Sequence, residues 1–387
     1  MILKNKKEIK TQIPQISIVE DYLIGLYDIR YNVVSNEIEI KLKNKTNYSV
    51  LNENNLYREL QLNNIKFSMN SLMFLLRSDF VESYNPFNNY FEKLPEWDQK
   101  IDHIEKLANY VIAKNQFRFN HHFKKMLVRT IACALSDGIF NKQAFVLVQE
   151  KQNSGKSTFC RWLCPDSLKN YIAENISTDK DSHIALCENL FINMDELSTL
   201  GKSEINTLKS LFSKDTVKVR RPFERKACSV PRRASFIGST NNTEFLNDET
   251  GSVRWLCFEI DEINWHYKKE IDINMVYSQS YYLFKNNFKY ELSHDEIEEN
   301  EKENEKHQII TAEMELIREY FIPGTKEDND AFLPASRIID ELNLKGVNVN
   351  KINFYAVGKS LKKLKFNREQ KYNGRFQEKG YYIKRIK

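Results

Sequence analysis

No apolar run in these 387 residues approaches the roughly 18 needed for a membrane-spanning helix, so no membrane partner is expected. The opening stretch MILKNKKEIKTQ is basic and lacks the apolar segment of a secretion signal, which makes the cytoplasm the expected location. Six cysteines (133, 160, 164, 187, 228 and 257) form no C-x-x-C pair, and without a secretion signal they are expected to stay reduced. The seven histidines lack metal-ligand spacing. His121 and His122 are adjacent on a helical stretch, where neighbouring side chains diverge by about 100°. No internal repeat is present.

What the chain does have is unevenly distributed charge. Residues 291–306 hold eight acids against two lysines, whereas residues 345–387 hold thirteen Lys/Arg against two Glu. An acidic solvated connector followed by a basic module suited to phosphates is the expectation. Upstream, a helix near Val19–Tyr27 precedes two alternating strands joined at Ser35-Asn36, then helices over Asn52–Leu62 and Ser68–Leu76. The aromatic tract 84–98 is too apolar for a free linker and should dock on the surface. Helical spacing runs from Ile101 to Leu135. From Ala144 the texture changes: AFVLVQ, LFINM and ASFIGST are apolar runs of the kind buried on both faces of a sheet, separated by helical stretches. This alternation predicts an α/β domain with a mostly parallel sheet.

The segment AFVLVQEKQNSGKSTFCRWL passes from buried strand to polar loop to helix. In that order a loop spanning Asn153, Ser154 and Gly155 can wrap backbone N–H groups around phosphates, with Lys156, Ser157 and Thr158 following. Lys156 would reach the β- and γ-phosphates of ATP, and the Ser157 hydroxyl would ligate Mg²⁺. Glu150 stands where the G-x-x-x-x-G-K-[ST] pattern has its first glycine. Asp195-Glu196 ends the buried strand LFINM, 39 residues after Lys156. Asp195 would hold Mg²⁺ and Glu196 would polarise the attacking water. After another 46 residues, Asn241 ends ASFIGSTNN, placed to sense the γ-phosphate. Arg254 opens a further strand and is a candidate arginine finger acting on a neighbouring subunit's nucleotide.

With these elements laid out, the chain resembles the virulence-associated protein E family, primase-associated ATPases of phages and mobile elements. It is similar to their superfamily 3 helicase-like domains, a branch of the AAA+ fold. The resemblance rests on YNPFNNYFEKLPEWD, GKST, NMDE, VRRPFERKACSVPRRASFIGSTNN and DETGSVRWLCFEI, and extends over most of the chain. It implies a homo-oligomeric ring, hexameric by expectation, in which a neighbour's arginine completes each site.

The stretch DTVKVRRPFERKACSVPRRASF alternates like a β-hairpin with Phe223–Lys226 near its tip. In the resembling helicases such a hairpin enters the central channel, so Arg225 and Lys226 are candidate contacts to single-stranded or forked DNA. Arg220 and Arg221 belong there or at the subunit interface. The C-terminal order of helix, helix and hairpin suits a winged helix, with Lys359, Lys362, Lys363 and Arg375 as DNA contacts. A protein-docking role for that module stays open.

The expected organisation is therefore an N-terminal α+β accessory region (1–95) and a helical region (96–140) leading into a P-loop AAA+-like ATPase core (141–265). A helical and acidic connector (266–322) and a winged-helix-like basic module (323–387) follow. The expected function is an ATP-hydrolysing DNA helicase or translocase in replication of a phage or mobile element. Two alternatives stand beside it: an assembly factor using ATP as a switch, for which Glu150 argues, and a DNA-sensing defence ATPase. The chain has no acidic cluster or zinc motif for priming, so any primase would be a separate polypeptide.

Overall fold

The computed structural model describes residues 13–176, 180–197, 202–220, 226–246, 253–327, 330–344, 354–372, 374 and 376–386. Contacts divide the chain into two units: the chain through Thr240 together with Phe258–Leu292, and Asn241–Cys257 together with Ser293–Lys387.

In the first unit, a helix over Gln15–Leu26 leads into the antiparallel strands Tyr27–Asn32 and Glu37–Leu42, paired from Tyr27↔Leu42 to Asn32↔Glu37. The turn forms because Asn36 accepts a left-handed φ of 60°, and because the Asn32 carboxamide accepts from the Val34 and Ser35 amides at 3.0 and 3.2 Å. Helices Glu53–Leu62 and Met69–Leu76 start where the polar caps predict. Asn52 and Ser68 each accept an amide three residues on, at 3.0 Å. Val19, Leu23, Leu56, Leu60, Leu72 and Leu76 form the core beneath this small sheet. A hydrogen bond of 2.7 Å from the Asn32 carboxamide to the Tyr171 hydroxyl ties the small sheet to the segment that enters strand Ile172–Glu174.

The aromatic tract docks as expected, but as a helix, Pro86–Glu92, rather than as an irregular wrap. Asn85 caps it, proline sits at its start where no amide is needed, and Phe87, Tyr90 and Phe91 are buried. Each such ring contributes about 1.5–3 kcal/mol by leaving water. The helical reading of 101–135 needs a second correction. A strand, Val111–Ala113, separates helix His103–Ala108 from helix Gln116–Leu135, because Val111 and Ala113 turn inward at a sheet edge.

That sheet is the centre of the unit. Its six strands are β1 (Val111–Ala113), β2 (Ala144–Val148), β3 (Ile172–Glu174), β4 (Phe191–Met194), β5 (Ser235–Thr240) and β6 (Trp255–Ile263), of which the part from Phe258 on belongs to this unit. In space they run β1-β6-β2-β5-β4-β3. The pairs β2·β5, β5·β4 and β4·β3 are parallel, and β6 pairs antiparallel with β1. Every residue of β2, β4 and β5 is buried, as continuous apolar runs require when helices cover both faces. Gly238 in β5 lets β4 approach closely, since a Cβ there would stand 2.8 Å from the Met194 carbonyl oxygen. An antiparallel pair, Thr216–Val219 with Cys228–Pro231, extends from the region before β5.

In the second unit, the acidic stretch is a helix, His294–Glu305, and not merely a solvated connector. A capping box starts it: Glu296 N donates to Ser293 Oγ at 3.2 Å, and Ser293 N donates to the Glu296 carboxylate at 2.6 Å. Asn300 and Asn304 are fully buried and donate to the Trp255 carbonyl at 2.8 and 2.7 Å. Helices Ala312–Tyr320, Ala335–Leu344 and Phe354–Lys363 follow. Strands Phe321–Pro323, Ala331–Leu333 and Arg368–Tyr372 each pair with Gln377–Arg385. Ile317, Phe321, Ile338, Leu342, Val357, Leu361 and Ile383 share one core. Ile317 and Phe321, on the helix and strand just before residue 323, supply part of that core.

Among the described residues no helix is long and apolar enough to cross a membrane. All six cysteines are free thiols; five are buried and Cys228 is exposed.

Candidate functional site

The carboxyl ends of β2, β5 and β4 bring one cluster together. Beyond β2 the chain makes a loop in which Asn153 and Gly155 adopt left-handed φ values of 53° and 90°. Helix Lys156–Trp162 then begins. Lys156 is 5% exposed, and its ammonium donates to the carbonyls of Gln149 and Lys151 and to the Ser154 hydroxyl, each at 3.0 Å. Burial lowers its pKa from the usual lysine value, and the charge of Asp195 works in the opposite direction. Glu150 is exposed and its φ is not in the left-handed region, so the position does not demand glycine. Its charge is felt by Lys114, whose pKa is raised chiefly by its hydrogen bond to Glu259.

Asp195 follows β4 and is the hub. Its Oδ1 accepts from Ser157 Oγ at 2.6 Å, Ser239 Oγ at 2.8 Å and the Glu196 amide at 3.1 Å. The two serine hydroxyls lie 3.0 Å apart. On the other side, Arg161 Nη2 stands 3.3 Å from Asp195 Oδ2. Arg161 also grips the Glu174 carboxylate with two nitrogens, at 2.7 and 3.1 Å. The Asn193 carboxamide donates to the same carboxylate at 2.9 Å, and the Asp195 amide donates to Asn175 Oδ1 at 3.0 Å. Partial burial would raise the Asp195 pKa. The bonds from Ser157 and Ser239 and the charge of Arg161 outweigh it, so the carboxyl lies below its ordinary value of 3.8. The group is an anion at neutral pH. Glu196 is exposed and holds a left-handed φ of 53°, an uncommon backbone state for a glutamate. Asn153, Gly155, Asn175 and Glu196 thus all take positive φ within these loops. Such strain gathers where backbone and side chains are aimed for a purpose.

Of the residues expected from sequence, Lys156, Ser157, Asp195 and Glu196 stand together with the loop residues Asn153, Ser154 and Gly155. Thr158 lies partly buried in the first turn of the helix. Asn241 directly follows β5 and Arg254 directly precedes β6; both are partly buried and both fall in the second unit. Five participants were not expected: Ser239, Arg161, Glu174, Asn175 and Asn193. A serine inside an apolar strand is the one trace by which Ser239 could be found. Glu174 ends a strand of three residues, too short for any alternation to be read.

The hairpin pairs Val219 with Cys228 and Thr216 with Pro231, so residues 220–227 connect its strands. Val217 and Val219 point inward while Lys218 and Arg220 face solvent, and Lys226 is exposed. Arg221 and Arg225 lie outside the described residues, as does Arg375. In the basic module Lys359 and Lys362 are exposed and Lys363 is partly so, all on helix Phe354–Lys363. Residues Arg368–Tyr372 are exposed along their whole length.

Residues 91–309 match the virulence-associated protein E-like domain. The chain belongs to that family. The matched segment contains the Lys156–Asp195 cluster, the hairpin and β1 to β6. Among solved structures, the apo structure of the NrS-1 C-terminal region is similar, with a TM-score of 0.54 at 11% identity over 96% of this chain and 100% of that one. A second apo structure of that region, in its A form, aligns with a TM-score of 0.49 at 10% identity over the same shares. At 11% identity the first of these likenesses describes fold alone. No curated protein matches the chain by sequence.

Proposed function

We propose that this family member is an ATP-hydrolysing, DNA-translocating ATPase serving replication of a phage or mobile element, with an AAA+-like core of the superfamily 3 type. The observation that carries the reading is the Ser157–Asp195–Ser239 cluster, built at the carboxyl ends of three neighbouring parallel strands beside the Lys156 loop. Ligands of open α/β sheets bind at such strand ends. The β6-β2-β5-β4-β3 order supports the AAA+ reading, because the strand bearing Ser239 and leading to Asn241 lies between the loop strand and the acidic strand.

The donor set fits Mg²⁺ and a nucleoside triphosphate. Ser157 and Asp195 offer hard oxygen ligands, and Asp195 is held ionised. Mg²⁺, when bound with ATP, neutralises phosphate charge. Lys156 would exchange its three loop oxygens for phosphate oxygens. Glu196, exposed beside Asp195, would orient and deprotonate the attacking water, with Asn241 reading the γ-phosphate. Arg161 and Glu174 position Asp195. Arg254 would act across the interface of a homo-oligomeric ring, hexameric by analogy.

The hairpin and its connecting residues 220–227 would track single-stranded or forked DNA, with Arg220, Arg221, Arg225 and Lys226 on the phosphates. The C-terminal module, read as a winged helix, would add Lys359, Lys362, Lys363 and Arg375. Priming would come from a separate polypeptide. A second reading is a nucleotide switch with little turnover. The observation favouring it is the self-capped Lys156 ammonium, which must first leave Gln149 and Lys151.

The test is steady-state ATP hydrolysis with and without single-stranded DNA, for wild type, Lys156→Ala, Glu196→Gln and Arg254→Ala. DNA-stimulated turnover that all three variants lose, with Arg254→Ala still binding ATP, supports the translocase. Nucleotide binding without turnover in the presence of DNA rejects it in favour of the switch.

A further inference from the structure

We infer that Trp265 is the surface on which the base of the bound nucleotide stacks. The inference rests on the proposed nucleotide site and adds the half of the ligand that the phosphate loop does not address. Gly155, the last residue before Lys156, has the indole of Trp265 directly against it: a Cβ built on Gly155 would lie 2.5 Å from Cζ2 and 2.9 Å from Cη2 of that ring. A base is joined to its phosphates through a single ribose. Phosphates held at Gly155 and Lys156 therefore leave the base within reach of a ring that touches Gly155.

The ring is both available and fixed. Trp265 is 45% exposed, whereas Trp255 is buried in its own core. Two residues on, Tyr267 is fully buried and packs edge-on against Phe159 and Trp162 of the helix that follows the loop, at 5.2 and 4.8 Å. The Asn264 amide donates to the Tyr110 carbonyl at 2.8 Å, and the Gln149 carboxamide donates to the Asp261 carbonyl at 2.5 Å. The segment carrying Trp265 is thus pinned on both sides of the indole. The Lys268 ammonium lies over one face of the ring, 4.7 Å from its centroid, so a stacking base takes the other face or displaces the lysine. A large aromatic exposed in so rigid a setting offers a flat apolar face at little entropic cost.

Stacking does not read the edges of a base, so the ligand class is a nucleoside triphosphate, with ATP and GTP affected alike. Isothermal titration of the full chain would use Mg-ATP, Mg-GTP and inorganic triphosphate as ligands. The proteins are wild type, Trp265→Ala, Trp265→Phe and Lys156→Ala, with thermal melts confirming that each is folded. Trp265→Ala should weaken ATP and GTP about tenfold and leave triphosphate unchanged, while Trp265→Phe stays within about threefold of wild type. Lys156→Ala should lose all three ligands. Unchanged ATP binding in Trp265→Ala would overturn the stacking role while leaving the nucleotide site standing. An equal loss for ATP and triphosphate would do the same, making Trp265 a prop for the loop. If wild type binds neither ATP nor triphosphate, the nucleotide-site reading and this inference fail together.

Discussion

Arg232 makes a sharp demand on the fold that bears on the hairpin. It is fully buried between the hairpin strand Cys228–Pro231 and β5, and among the described residues its partners include no carboxylate. Its guanidinium instead donates to four carbonyls within 3.1 Å: Asn141 at 2.7, Phe212 at 2.8, and Leu211 and Ala234 at 3.1 Å. Two of these close the C-terminal turn of helix Lys202–Phe212, where backbone acceptors run out of intrahelical donors. Burial lowers its pKa to about 10 from 12.5, so holding the charge costs about 3 kcal/mol. Arg232→Met removes that cost but forfeits four hydrogen bonds from a charged donor at about 1.5 kcal/mol each, a loss of about 6 kcal/mol. The net is about 3 kcal/mol of destabilisation. Replacing a whole buried ion pair with apolar residues often stabilises; here the partners are main chain and cannot be replaced with it.

Hydrogen exchange read by mass spectrometry is the appropriate assay, since a chain of two units need not unfold in one step. Amides of helix Lys202–Phe212 and the hairpin should exchange on the order of 100-fold faster in Arg232→Met, with the N-terminal sheet unaffected. Arg232→Lys should be intermediate, because one ammonium has three donors in place of five. Exchange in Arg232→Met as slow as wild type would refute the reasoning: the carbonyls would then be satisfied without the guanidinium.

Gly155→Ala should abolish nucleotide binding and also lower the thermal midpoint, because the added Cβ meets Trp265 at 2.5 Å and the residue needs φ of 90°; equilibrium binding beside a melting curve checks both. The pKa of Asp195 is lowered by folding, so its contribution to stability is complete above the unfolded value of 3.8 and is lost as pH falls through the folded value. The difference in melting midpoint between wild type and Asp195→Asn should stay flat from neutral pH down toward the unfolded value and shrink only below it; shrinkage near neutrality would count against the hydrogen-bonded anion. Substituting Lys359 and Lys362 together by Gln should weaken DNA binding uniformly across sequences and reduce the slope of log affinity against log salt by about 1.4 to 1.8, measured by fluorescence anisotropy.

The parts legible in the sequence were those where one physical cause acts locally. Asn52 and Ser68 were readable as helix starts because a side chain caps its own neighbours. β2, β4 and β5 were readable because strands buried on both faces run largely apolar over several residues. Asp195 and Lys156 could be joined across 39 positions since one directly ends such a strand and the other follows the loop after one. The failures had tertiary causes. Val111–Ala113 became a strand because a sheet edge was available to pair with it, which helical spacing on either side concealed. The stretch 294–305 was read from its charge, and the two asparagines that commit it to a packed helix bind a carbonyl about 50 residues away in sequence. Arg161 and Glu174 were invisible because their meaning lies in a contact with each other and with Asp195.

Glu150 shows how far a motif can be departed from before its chemistry is threatened. A glycine in a phosphate loop serves either by taking a left-handed backbone or by letting another group approach. Neither need arises at 150, where φ is not left-handed and the side chain faces solvent. Both needs arise five residues later: Gly155 has φ of 90° and the Trp265 ring against it. The remaining turn is taken by Asn153, one of the few residue types that accept positive φ readily. The loop thus places its one indispensable glycine beside Lys156 and holds an exposed carboxylate at its entrance, whose charge reaches Lys114. On this geometry the substitution that disables the loop is at Gly155, and Glu150→Gly should leave nucleotide affinity close to wild type.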